Sequence, residues 1–248
     1  MPGRDKPTLV VAALPEELAP ILRRARELQR AGKGRVFRGR LGGVQAVFAV
    51  TGDGPRAAQR VAAMLCRDFG PAALYGAGIA GALSPNLAAG DLLVARRVRA
   101  VAAEAPDPDA GLLERSRLAG NPAVGLLLTV DRPVVDPRQK AALHAALALT
   151  GEEPAAVDME SAGWARAAAE AGVPYAVVRA IADTAGEALP EYLPRCVGPG
   201  GGIRRAAVVA LALAHPASLP ALFAMRRRLI HSAEKLAAFL ERMLSENA

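Results

Sequence analysis

Apolar positions along this chain fall into short unbroken runs, separated by stretches with helical periodicity. Thr8 to Leu14 is one such run, as expected of a strand covered on both faces. Pro15 then opens a helix that the pattern carries to about Arg30, with Glu16 and Glu17 in its first turn. Arg35 to Thr51 has the form of a hairpin turning at Gly42-Gly43. "TGDGPRAAQRVAAMLCRDFGP" follows as a helix, with Pro55 at its first position and Gly70-Pro71 at its stop. Further strands are expected at Leu74–Gly81, Gly90–Val101, Val124–Val130 and Tyr175–Ile181, and helices over Asp136–Leu149 and Met159–Ala171. "EAPDPDAG", 104 to 111, is a surface loop by its proline and acid content, and "GPGGG" at 198 to 202 breaks the chain before a helical tail. No linker or repeat interrupts the alternation. The expectation is one α/β domain over 1–248, in three layers, with a central mixed β-sheet between helices.

Composition narrows this picture. Of the 248 residues 52% are hydrophobic but only 4% aromatic, so the core must be aliphatic and alanine-rich, which suits helices packed closely on a parallel sheet. The net charge of +7 could serve nucleic acid or an anionic membrane surface. Scarce aromatic platforms and the lack of any nucleic-acid motif argue against the first. Two distant cysteines, Cys66 and Cys196, point to a reducing compartment, and the first apolar run is too short for a signal peptide. A cytoplasmic protein is expected.

The apolar tail, from about residue 203, leaves three readings open. Ala206 to Ala224 carries no formal charge and is followed by "RRR" at 226 to 228, so length alone permits a membrane span. His215, Pro216, Ser218 and Pro220 interrupt it, which favours a pair of core helices meeting at His215-Pro216. A surface resting on the inner face of a membrane is the intermediate reading.

Four acids stand out from this background. Asp158 precedes a helix and suits an N-cap. Glu160 lies in that helix's first turn and shares a face with Trp164 and Ala168, which points it inward. An inward carboxylate needs a partner, and vicinal sugar hydroxyls are good ones. Asp183 lies just past an apolar strand, and Glu16 follows the first strand in the same way. Each acid alone could be an ordinary cap. Behind separate strands, they would converge on one crevice at the carboxyl end of the sheet.

"AVDMES" with "GVPYAVVRAIADTA" resembles the signature of the purine nucleoside phosphorylase and nucleosidase superfamily, in particular its 5′-methylthioadenosine/S-adenosylhomocysteine nucleosidases. "AALPEELA", "TGDGPRAA", "GAGIAGALSPNLAAGDLLV" and "TVDRPV" resemble its first-strand loop, second Gly-rich turn, sugar-side segment and base-side strand end. The likeness runs in order from about 8 to 185. Beyond Ala185 the tail looks like the hopanoid-associated branch, whose members are implicated in removing adenine from adenosylhopane.

The resemblance implies roles. Asp183 would protonate the purine N7 and Glu16 would activate water. Glu160 would hold the ribose hydroxyls, with Met159 against the sugar. Gly78, Ile79 and Ala80 would line the sugar side, and Pro133 and Val134 would lie beside the base, where the family often has an aromatic residue. It also implies a homodimer acting on a small-molecule nucleoside, with no cofactor. The scattered His144, His215 and His231 suggest no metal site. The acidic first loop and the arginine-free "YGAG" favour water over phosphate, and Arg56 is expected to be solvated. Rival readings are a methylthioadenosine/S-adenosylhomocysteine nucleosidase, a purine nucleoside phosphorylase and a non-catalytic nucleoside- or lipid-binding relative.

Overall fold

The computed structural model describes residues 6–32, 34–101, 105–147, 153–198, 204–215 and 219–245. Strand β1 (Thr8–Ala12) leads to α1 (Pro15–Arg24), then to strands β2 (Arg26–Arg30), β3 (Val36–Leu41) and β4 (Val44–Val50). Helix α2 (Pro55–Phe69), β5 (Ala73–Ala82), β6 (Leu92–Ala100), α3 (Ala110–Leu118) and β7 (Ala123–Thr129) follow. The chain continues through α4 (Pro137–Ala146), β8 (Ala155–Asp158), α5 (Ser161–Ala171) and β9 (Tyr175–Asp183). After a 3-10 turn at Leu193–Cys196 it ends in α6 (Arg205–Ala214) and α7 (Leu219–Ser245).

The strands form one mixed sheet in the order β2-β3-β4-β1-β5-β8-β7-β6-β9, and β9 returns to pair in parallel with β5. Both faces are covered, which explains the unbroken apolar run of β1. Leu9 and Val11 face α2 and α5, against Ala58, Leu65, Trp164 and Ala168. Val10 and Ala12 face α1 and α7, against Leu18, Ile21, Phe239 and Leu240. Alanine sets how closely the layers approach. At Gly163 a Cβ would lie 2.2 Å from the Pro55 carbonyl oxygen, so α5 meets α2 there only without a side chain.

Most sequence expectations fall on real elements, and the hairpin turns at Gly42-Gly43 through the pair Leu41 and Val44. The first helix is shorter than expected. It ends at Arg24, and Arg26–Arg30 becomes a wholly exposed strand on the sheet edge. Its "RELQR" sequence is helix-prone by propensity, yet edge strands tolerate charge well, and the pairing with β3 decides the outcome. The GPGGG break lies almost wholly outside the described residues, as does Pro216 of the expected tail kink.

The tail divides in two. The second half of α7 is core, with Leu236, Phe239, Leu240 and Met243 buried against α1 and the sheet. Helix α6 buries Ala212 against Tyr192, Leu193 and Cys196, while its Val209 and Leu213 stay exposed. Among the described residues no helix is long and apolar enough to cross a membrane.

Candidate active site

The ends of β1, β5, β8 and β9 meet around a cavity of about 180 Å³. Its walls are mostly aliphatic, yet five acids reach it: Glu17, Asp53, Asp158, Glu160 and Asp183. None of the described lining residues is cationic. The compensating positive charge lies one layer behind.

Glu17 is the acid that α1 delivers. It is the third residue of that helix, where a carboxylate can cap the helix start, and it accepts the Leu14 N–H at 2.9 Å. It also accepts the Ile79 N–H of β5 at 3.0 Å, which ties the helix start to that strand. Glu16, expected to line this site, does not. One residue earlier on the helix means about 100° of rotation, and Glu16 points to solvent while Glu17 is buried. Of the two first-loop glutamates, Glu17 is the one that reaches the cavity.

Glu160 accepts the Gly54 N–H at 3.1 Å, and Arg179 Nη2 donates to it at 3.2 Å. Met159, half-buried, lines the wall beside it. Asp158 is the last residue of β8 rather than the expected N-cap, a position that Glu160 takes, and its side chain reaches the start of α5 from two residues further out. It accepts from the Ser161 N–H at 3.4 Å and from the Ser161 hydroxyl, takes the Thr129 hydroxyl at 2.8 Å, and pairs with Arg179 at 2.7 Å.

Arg179 organises this side of the cavity. It projects from the middle of β9, is fully buried, and lies over the Trp164 ring at 4.6 Å. A Cβ at Gly78 would lie 2.1 Å from its Nη1 and 2.9 Å from Glu17 Oε1. Gly78 therefore does not line the cavity; it leaves the space in which Arg179 and Glu17 approach each other. Burial alone would lower the pKa of Arg179, but Asp158, Glu160 and Glu17 outweigh it and hold the guanidinium charged. Three carboxylates share that one cation. Burial raises the pKa of Glu17 and of Glu160 despite its pull, so the cluster favours keeping a proton.

Asp183 stands at the end of β9 and lines the same cavity. Burial raises its pKa, opposed by Lys140, whose Nζ donates to Oδ2 at 2.5 Å. Pro133, Val134, Ile79 and Ala80 add apolar lining to the same cavity. Arg56 is exposed and outside the cavity.

Two residues escaped the sequence reading, Arg179 and Lys140. The first left a signal: an arginine inside "YAVVRAIAD" must be buried with the strand, and a buried charge must be paired. Lys140 left none, because one lysine in the amphipathic "PRQKAALHAA" looks like any solvated helix lysine.

Chemically, the site combines an acid whose pKa burial raises with a group of carboxylates around one cavity. Such a pair can protonate a leaving group while stabilising positive charge on the fragment left behind.

Residues 7–194 match the family described as the Phosphorylase superfamily. The chain is 28% identical over 202 residues to a 5′-methylthioadenosine/S-adenosylhomocysteine nucleosidase of Geobacillus thermodenitrificans, covering 72% of this chain and 84% of that protein. Its fold is similar to that of the S-adenosylhomocysteine nucleosidase of Streptococcus pyogenes solved with 5-methylthiotubericidin, with a TM-score of 0.76, 23% identity and full coverage of both chains. It is also similar to the futalosine hydrolase of Helicobacter pylori, with a TM-score of 0.72, 20% identity, and 97% and 98% coverage.

Proposed function

Because the chain belongs to the phosphorylase superfamily and is an enzyme acting on N-glycosyl compounds, we propose that this cavity cleaves an adenine–ribose bond by hydrolysis. The observation that carries the reading is the convergence of Asp183, Glu17 and Glu160 on one small cavity. Breaking the C–N bond leaves positive charge on the ribose and negative charge on the base. Asp183 gives its proton to the purine N7, so adenine departs neutral. Glu160 holds the ribose hydroxyls, with Met159 against the sugar face. Glu17 takes the proton of the attacking water as its oxygen bonds to the ribose carbon. The carboxylates of this wall stabilise the charge that develops on the sugar between those two events.

Water is favoured over phosphate by the lining itself. Five acids reach the cavity, and the buried Arg179 is already claimed by three of them. A phosphate ion would enter against that field.

The substrate we propose is an adenosyl-modified hopanoid, converted to ribosylhopane. The support is the tail and its position. Leu189 lines the cavity and also packs with Tyr192 and Leu193 beneath α6, whose Val209 and Leu213 face outward. Apolar packing thus links the cavity lining to a helix with exposed apolar side chains, which suits a lipid-sized 5′ group. In this reading the protein is a cytoplasmic homodimer that touches the inner face of the membrane through α6. The Geobacillus relative favours a second substrate reading, methylthioadenosine or S-adenosylhomocysteine.

Offering adenosylhopane and methylthioadenosine to the purified protein, with and without phosphate, separates these readings. The expected result is adenine with ribosylhopane and no sugar phosphate. Fast methylthioadenosine turnover with none of adenosylhopane would overturn the lipid substrate, and a phosphate-dependent sugar phosphate would overturn hydrolysis.

A further inference from the structure

Lys140 is fully buried on α4, although Pro137–Ala146 is otherwise largely a surface helix. Its Nζ donates to Asp183 Oδ2 at 2.5 Å, to the Thr184 carbonyl at 2.8 Å and to the Glu187 carbonyl at 3.0 Å. Three acceptors match the three N–H donors of an ammonium group; a neutral amine has only two. The turn after β9 is held from the other side as well. Arg228 of α7 donates to the Ala182 carbonyl at 3.2 Å and pairs with Glu187. Asp183 is thus faced by Lys140 from α4, by Arg228 from α7, and by Glu187 within its own turn.

A buried lysine is costly unless its partners are fixed, and nothing in the packing of α4 requires one here. A methionine of similar length would fill the space. What only the ammonium supplies is charge on one oxygen of the group that lines the cavity. With Oδ2 held, Oδ1 is the oxygen Asp183 can offer a ligand.

Resting on the reading of Asp183 as the acid, we infer that Lys140 is a positioning residue that aims Asp183 and stabilises the carboxylate left after proton transfer. In that step the glycosidic C–N bond breaks and its electron pair goes to the purine. The proton on Asp183 Oδ1 passes to N7, and the new negative charge on Asp183 forms beside the ammonium. Burial makes Asp183 a reluctant acid, and Lys140 works against that. The turn carrying Thr184 and Glu187 is fixed by the same three bonds, so aim and acidity are set together.

The test is the pH profile of kcat/KM for adenine release by the full-length protein. Activity falls on the alkaline side as Asp183 loses its proton. In Lys140→Met that limb should move up by about one pH unit or more, because the opposing charge is gone. The plateau should fall at the same time, and Lys140→Arg should return the limb toward its original place. A lower plateau with the limb unmoved would mark Lys140 as merely structural and overturn the inference. If Lys140→Met does not fold, Lys140→Gln serves, since its amide can still donate to one of the two carbonyls. A readout without any change at 140 is ¹⁵N-lysine NMR. One slowly exchanging ammonium signal should be present in the unaltered protein and shift in Asp183→Asn, and its insensitivity to that change would also overturn the pairing. The two layers separate cleanly. Unchanged adenine release in Asp183→Asn would remove the acid itself, whereas an inactive Asp183→Asn with an unmoved limb in Lys140→Met would remove only the role of Lys140.

Discussion

Two buried cations stand behind this cavity, and they keep different company. Arg179 is shared by Asp158, Glu160 and Glu17, whereas Lys140 faces one carboxylate and two carbonyl oxygens. The Arg179 side is short of positive charge. It therefore retains a proton and presents a field that favours a cationic sugar. The Lys140 side is balanced, and its single acid is held in one orientation on an apolar wall. In the proposed reaction the chain separates two tasks by charge count: stabilising a cation near Arg179 and delivering a proton from Asp183. It can do so because β9 contributes to both, with Arg179 at its middle and Asp183 at its end.

The sharpest way to break this division is Asp183→Asn. The amide keeps the shape but cannot give an acid proton, so kcat/KM for adenine release should drop by about 10²–10⁴. A drop below tenfold in a steady-state assay would place proton delivery elsewhere. On the other side, Arg179→Met should act first on stability. It leaves three buried carboxylates without their cation, and removing one partner from a buried ion pair costs about 3–5 kcal/mol. Urea unfolding monitored by Trp164 fluorescence measures it, since the guanidinium lies over that ring. A loss under about 1 kcal/mol, the range of exposed pairs, would show that the cluster sheds its charge by some other route.

These two sides were unequally legible in the sequence. Strands buried on both faces announced themselves as apolar runs, and Pro15, Pro55 and Gly70 marked helix ends that the structure keeps. Helix α3 and the four-residue β8 went unread because neither is long enough to develop a period. Asp183 and Glu160 were visible as acids beside apolar strands. Arg179 could have been found by the same logic turned round, since a central strand cannot leave a guanidinium unpaired. Lys140 could not. Its burial comes from where α4 docks against the turn after β9, a tertiary fact that helical periodicity does not carry. That Glu17 and not Glu16 lines the cavity was illegible for a related reason: adjacent residues in a first turn have equal propensity and charge, and only the angle at which α1 leaves β1 selects one.

That choice gives the next prediction. Glu17→Gln should lower the rate of adenine release by about 10²-fold, as expected for loss of a general base, and cost about 1–3 kcal/mol of stability, because the amide oxygen accepts only one of the two N–H donors and the amide NH2 faces the other. Glu160→Gln probes the proton kept near Arg179. Burial raises the folded pKa of Glu160 above its ordinary value of 4.5. The stability this contributes is fully present below that ordinary value and is lost as pH rises through the folded one. The unfolding free energy of the unaltered protein should therefore fall from pH 5 toward pH 8. Glu160→Gln should flatten that fall, by on the order of 1–2 kcal/mol across the window. An unchanged slope in urea titrations would mean that Glu160 is ionised throughout.

The smallest expected effect is the most discriminating for the geometry. Glu16→Gln changes an acid one residue from Glu17, on the same helix turn, with the same side-chain length. If the field of the first loop as a whole mattered, the two changes would lower activity comparably. If direction matters, Glu16 acts through solvent, where interactions between exposed charges are worth about 0–1 kcal/mol. Glu16 is exposed and outside the cavity lining, so Glu16→Gln should leave kcat/KM within about twofold and stability within about 0.5 kcal/mol. Parallel assays of adenine release by the two variants decide it. A Glu16→Gln loss approaching that of Glu17→Gln would mean that the helix start is rotated during catalysis relative to the arrangement described, and the assignment of the base would have to move back by one residue.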